Sequence, residues 1–300
     1  MKDELTAHQW RLWRISGGLA PVILLAAKCT WVEAMGAALL CAIMQSALER
    51  MPEGKPTWLR WLPAELGILQ GLSLLQDFWQ WEEPGIWPGV ILLVLAIWGG
   101  SKAGIHQGSI VLLWLTGILL ASVLLSAVPE IRIRNLRTDV WSLERPAALL
   151  GVLLLTGMGG RQGRRETGRE RSLPWLELGA VAVITSLCVQ GTLSTEVLRE
   201  PGDPFYEVSR SVRFLGSLKR FESLAILGIL LGMWLWFTCL LRLLWERKEE
   251  KREGWLLGGI CLTVGIWVLK IDYEIWLLGS IVLSEYATAA IRRIQKTKEK

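Results

Sequence analysis

Ten stretches of this 300-residue chain are apolar over about the length of a bilayer crossing. That repetition leaves few folds open. A segment in lipid has no water to bond its N–H and C=O groups, so roughly 17 to 25 mainly apolar residues cross only as a helix. The stretches fall near residues 10–27, 31–49, 59–77, 84–99, 106–128, 146–160, 174–193, 221–245, 253–270 and 273–291. They predict an all-α integral membrane protein in which residues 1–300 form a single polytopic domain of about ten transmembrane helices.

The basic residues test this division, because Lys and Arg collect on the cytoplasmic side of short loops. With the N-terminus inside, 22 of the 33 basic residues fall on inner segments, including Arg161, Arg164, Arg165, Arg169 and Arg171 between the sixth and seventh crossings. The outer segments hold the rest, among them Lys28, Arg132, Arg145 and Arg210. Both termini are therefore expected in the cytoplasm.

With 52% hydrophobic residues and basic charge concentrated in inner loops, the net charge of +5 reflects topology rather than a nucleic-acid surface. No basic and aromatic patch suggests RNA or DNA. Many of the 18 tryptophans, such as Trp58, Trp79, Trp87, Trp175 and Trp245, stand near segment ends, where an amphipathic ring prefers the headgroup zone. Cys29, Cys41, Cys188, Cys239 and Cys261 are scattered singly, and His8 and His106 are the only histidines. Neither a metal site nor a Cys–His pair is expected from that spacing. No phosphate-binding, dinucleotide or nucleophile-elbow motif is present, so no cofactor and no enzymatic activity is expected. The first crossing has a basic lead without a small-residue cleavage site and is read as retained.

Small residues one turn apart allow close helix approach in lipid. Gly67 with Gly71, Gly228 with Gly232, and a stripe of Gly100, Gly104 and Gly108 are read as packing positions. In the outer connection from Ser194 to Arg220, Phe205, Val208, Val212, Phe214, Leu215 and Leu218 recur at helical spacing after Pro204. They predict an amphipathic helix lying in the outer interface, either as a surface element or as an extracellular gate. The segment SGGLAP, Ser16 to Pro21, has the composition of a helix break, and Gly157, Gly159 and Gly160 end the sixth stretch. Ten crossings also divide into two groups of five, about 10–128 and 146–291, the plan of inverted-repeat transporters, whose sites form at broken helices. Charged groups at membrane depth are few: Glu65 after Pro63 with Gln70 on a neighbouring face, Glu177, and Glu222. Each carboxylate reads first as an interface or helix-start group favoured by the dipole, and only second as a ligand group.

In order along the chain, LTAHQW, TWVEAMGAALL with ERMPEGK, IWGGSKAGIHQGSIVLL, VPEIRIRNLRTDVW and PFYEVSRSVRFLGSLKRFESLAILGILLGMW together resemble the spore germination permease family. These are the B subunits of germinant receptors, grouped with the amino acid-polyamine-organocation transporters. The resemblance places Gly104, Ile105 and His106 at a Gly-Ile-Glu-like position, Asn135 and Leu136 in register in the outer loop, and Arg220 two residues before Glu222.

The resemblance implies a five-plus-five bundle in the bacterial cell membrane or inner spore membrane, sensing or passing a small amino-acid-like nutrient beside A-type and C-type receptor subunits. It implies a ligand pocket formed by the first and sixth helices; the permease readings need a cavity lined by the first, third, sixth and eighth crossings, for which Ser16, Gly17, Gly18, Glu65, Gln70, Thr156, Gly157 and Glu222 are the candidate ligand-binding residues. An amino-acid secondary transporter and a non-transporting scaffold of the same fold are the alternatives. The chain departs from the family between Asn135 and Arg161, where it is about twenty residues short, so half of a discontinuous sixth helix is expected to be missing. The stretch from Gln9 to Trp31 is also short, which weakens the small-molecule reading.

Overall fold

The computed structural model describes residues 7–49, 61–79, 87–100, 105–136, 144–158, 174–193, 203–211, 221–245, 277 and 279–281. Among them every regular element is helical, with no strand. The helices are α1 (Ala7–Lys28), α2 (Trp31–Glu49), α3 (Trp61–Trp79), α4 (Trp87–Gly100), α5 (Ile105–Ala127), α6 (Glu144–Met158), α7 (Pro174–Thr192), α8 (Pro204–Ser211) and α9 (Phe221–Trp245). Eight of them coincide with the first eight apolar stretches. The short α8 lies in the connection before the eighth, and the ninth and tenth stretches fall almost wholly outside the described residues.

Local chemistry explains the helix starts. The Thr30 hydroxyl accepts from the Glu33 amide, and Glu33 accepts from the Thr30 amide at 2.8 Å, a reciprocal cap that opens α2. Pro63, Pro146, Pro174 and Pro204 each sit in a first turn, where the missing N–H has no helical partner to lose. Glu33, Glu144, Glu177, Glu207 and Glu222 lie in first turns, where a negative charge meets the positive end of the helix dipole.

Residues 16–27 of α1 and 63–71 of α3 are buried without interruption, so both helices are enclosed on every face. α1 packs against α5, α6, α7 and α9, while α3 packs chiefly against α9 and α4. Polar side chains tie these helices through backbone carbonyls. Ser186 of α7 donates to Ala26 of α1 at 2.7 Å, Gln45 of α2 to Leu154 of α6 at 3.3 Å, and the Trp236 indole of α9 to Gly67 of α3 at 3.0 Å.

The periphery has the opposite polarity to that of a water-soluble bundle. Met35, Leu39, Leu40 and Ile43 expose one face of α2, and Val111, Trp114, Leu115, Ile118 and Leu125 do so on α5, with Leu125 69% exposed. Contiguous apolar faces of this kind mark surfaces that meet something other than water. By length and composition, Trp175–Thr192 in α7 and Glu222–Leu241 in α9 are long and apolar enough to cross a membrane.

One sequence expectation changes here. The helix break at Ser16 to Pro21 is absent, because α1 runs unbroken from Ala7 to Lys28 with Pro21 inside it. Of the stripe of Gly100, Gly104 and Gly108, Gly100 is the last described residue of α4, Gly108 belongs to α5, and Gly104 lies outside the described residues.

Candidate functional site

Four helices meet where their glycines remove the width of a side chain. A Cβ on Gly17 of α1 would stand 2.6 Å from the Cys239 Sγ of α9, and one on Gly18 would stand 2.7 Å from both Thr156 Cγ2 of α6 and Leu178 Cδ1 of α7. A Cβ on Gly67 of α3 would stand 2.5 Å from Leu155 of α6 and 3.0 Å from Leu240 of α9. The neighbours are consecutive, Cys239 with Leu240 and Leu155 with Thr156, so α1, α9, α3 and α6 close a ring at one level. Close approach of backbones is what small residues provide inside a membrane bundle.

The first, third, sixth and eighth predicted crossings thus come together, as α1, α3, α6 and α9. Ser16, Gly17, Gly18 and Thr156 all lie at this ring. Gly157 follows Thr156 within α6, which continues unbroken to Met158. Gly17 and Gly18 serve close packing, and their backbone is not unwound. Pro21 nevertheless lacks the N–H that would reach the Gly17 carbonyl one turn earlier, which leaves an acceptor without its helical donor. The Thr156 hydroxyl turns back onto the Leu153 carbonyl at 2.7 Å.

Glu65 and Gln70 flank Gly67 on α3, about 3 Å and about 4.5 Å along the helix axis. Both are buried, at 3% and 1% exposure, and the Oε1 atom of each has no hydrogen-bond partner. A buried polar atom left unpaired costs about 1–3 kcal/mol on the scale of protein substitutions, and an unpaired charge costs more. The two orphaned oxygens are acceptors, so the complementary group is a donor.

Glu222 belongs elsewhere. It starts α9 and accepts a hydrogen bond from the Tyr206 hydroxyl of α8. That helix departs from the expected interfacial placement: Phe205 and Val208 are fully buried against the bundle, where α8 contacts α1, α5, α7 and α9. Its apolar face therefore meets protein instead of lipid headgroups. Val212, Phe214, Leu215 and Leu218 lie outside the described residues.

Beside α8, a polar knot closes the same end. The Gln190 side chain of α7 accepts from the Trp31 amide at 3.0 Å and donates to the Asn135 carbonyl at 3.2 Å. The Asn135 side chain donates to the Gly191 carbonyl at 3.1 Å, and the Trp31 indole to the Leu136 carbonyl at 3.0 Å. Arg145 of α6 reaches the Lys28 carbonyl at 3.1 Å, and the Lys28 ammonium pairs with Asp77 of α3 at 2.6 Å.

Sequence reasoning missed Asp203, the Lys28–Asp77 pair and the inward-facing Trp236. Asp203 was readable from the Asp-Pro step that opens a helix. The others carry no local signal, because their partners lie far away in sequence. No protein-family model matches the chain, and no curated protein matches it.

Proposed function

We propose that the chain is a ten-crossing, permease-like membrane subunit of the spore germination type, in the bacterial cell membrane or inner spore membrane, with cytoplasmic termini and a five-plus-five repeat. In this reading it senses or passes a small amino-acid-like nutrient and signals to A-type and C-type receptor subunits. The observation that carries it is the pair of orphaned acceptors, Glu65 Oε1 and Gln70 Oε1, beside the ring of α1, α3, α6 and α9. An intramembrane carboxyl is retained against its cost where it meets a partner in function, and the ammonium of an amino acid is such a donor.

Two variants test this. Glu65→Leu and Gln70→Leu remove an unpaired buried polar group while keeping most of the volume, so each is expected to raise stability by about 1–3 kcal/mol. The nutrient response is expected to fall at least about tenfold, the equivalent of about 1.4 kcal/mol of lost recognition. Germination or uptake measured alongside membrane abundance separates the two effects. An unchanged response in well-expressed variants defeats the ligand reading.

One observation favours a second reading, the non-transporting scaffold. The ring is so tight that a methyl group at Gly17, Gly18 or Gly67 already collides. That reading expects the response to survive both Leu variants.

Topology is tested separately by cysteine labelling in a background without native cysteines. The two-to-one charge bias expects Arg165→Cys to react only from the cytoplasm and Glu207→Cys only from outside. Labelling of position 165 from outside rejects the arrangement.

A further inference from the structure

Asp203 is fully buried immediately before α8. Its Oδ1 accepts from the amides of Phe205 at 2.9 Å and Tyr206 at 3.2 Å, which caps the helix. Its Oδ2 is equally buried and has no hydrogen-bond partner. The helix it caps seats Phe205 and Val208 in the end of the bundle and is tied down at Tyr206, which donates to Glu222 of α9 and meets Phe78 of α3 edge-on at a ring separation of 5.6 Å.

Other charged groups here are few. Lys28 of α1 attracts the Asp203 carboxylate and is itself paired with Asp77 of α3, whose charge opposes it. Arg145 of α6 holds the Lys28 carbonyl. Glu207 and Arg210 of α8 act on Tyr206, as does Glu222. α5 has no charged side chain after His106, and within α7 the one carboxyl is Glu177 in the first turn, at the far end of the helix, while Cys188 is a buried neutral thiol.

We propose that α8 is a proton-operated latch over this end of the bundle, seated when Asp203 carries a proton and loosened when Asp203 is ionised. The inference does not depend on the ligand assigned above. Its basis is the burial of a carboxyl with one oxygen unpaired. Burial pushes the Asp203 carboxyl up from 3.8 to about 6, outweighing Lys28 and the two backbone donors, while Asp77 adds to the upward push. With α8 lifted into water the carboxyl returns to the ordinary range, so the seated state binds the proton more tightly. Acid therefore favours seating. The advantage is complete below the ordinary carboxylate range and is lost as pH rises through about 6.

Amide hydrogen exchange of residues 205–211 in the full-length, detergent-solubilised protein reads the latch directly. After correction for intrinsic exchange rates, protection is expected to fall about tenfold between about pH 5 and about pH 7.5. Asp203→Asn keeps a capping acceptor but has no proton to lose, so protection is expected to become independent of pH. Lys28→Met removes the attraction that favours ionisation and is expected to move the transition to higher pH, while Glu222→Gln leaves its midpoint in place. Equal protection at both pH values in the unaltered protein overturns the proposal, as does full pH dependence in Asp203→Asn. If that variant fails to fold, Lys28→Met decides: an upward shift supports the latch and an unmoved midpoint overturns it.

Discussion

Gly232→Leu is expected to abolish recovery of folded protein, whereas Gly117→Leu, at another helical glycine, is expected to leave it intact. A Cβ on Gly232 of α9 would lie 2.5 Å from the Ala20 Cβ of α1, 3.5 Å from the Ala20 Cα and 3.3 Å from Thr116 Cγ2 of α5. Alanine has no rotamer through which to withdraw, so only separation of α1 from α9 makes room. α1 is enclosed on every face over residues 16–27, and its displacement disturbs all its neighbours. Overpacking of this kind costs about 3 kcal/mol or more, a large part of the about 5–15 kcal/mol that holds a typical domain folded. Gly117 has nothing within 4 Å of its Cβ position and sits between the exposed Trp114 and Ile118. A leucine there gains helix propensity of up to about 1 kcal/mol over glycine and adds to an already apolar face. Yield of monodisperse protein in detergent and its melting temperature distinguish the two, with Gly232→Ala falling between them at a loss of about 1–3 kcal/mol. Tolerance of leucine at Gly232 means that α1 and α9 do not approach this closely.

What the sequence disclosed and what it concealed divide along the range of the interactions involved. Helix limits were legible because they depend on local chemistry: apolar runs of bilayer length, prolines in first turns and acids at N-termini. The pairs Gly67 with Gly71 and Gly228 with Gly232 were legible as packing positions because a one-turn spacing puts both on the same face. The stripe through Gly100, Gly104 and Gly108 runs through residues outside the described ones. SGGLAP shows a subtler limit. Two glycines and a proline lower helix propensity, yet the Cys239, Thr156 and Leu178 side chains crowd against Gly17 and Gly18, so packing holds α1 helical where propensity alone opens it.

The burial of Glu65 and Asp203 was beyond sequence reading for another reason. Whether a carboxylate faces lipid, water or a neighbouring helix depends on what covers its face, and the polar side chains of α3, Glu65, Gln70, Ser73, Gln76 and Asp77, mark a face without saying whether protein or water meets it. The same holds for α8. Its apolar spacing was visible, but the spacing does not distinguish a membrane surface from the mouth of a protein bundle as the partner of that face.

Trp236→Ala is expected to destabilise the protein by about 3–5 kcal/mol, the range for removing a buried aromatic side chain. Trp236 is 2% exposed and among the largest fully enclosed side chains of the described residues. Its indole N–H reaches the Gly67 carbonyl, while its Cδ1 lies 3.1 Å from where a Cβ on Gly71 would stand. One edge of the indole, its Nε1 and the adjoining Cδ1, therefore meets two positions a full turn apart on α3, Gly67 and Gly71. Most interfacial tryptophans keep the N–H at the headgroup level, but this one uses it to fix the rotation of α3, and with it the positions of Glu65 and Gln70. Trp236→Phe keeps much of the volume but loses the donor, so a smaller cost of about 1–2 kcal/mol is expected. The ratio of the two losses, read as shifts in melting temperature, tests whether the hydrogen bond or the packing dominates. Equal losses would show that the indole N–H and its grip on α3 carry most of the stabilisation, and a negligible loss in Trp236→Phe would assign it to packing alone.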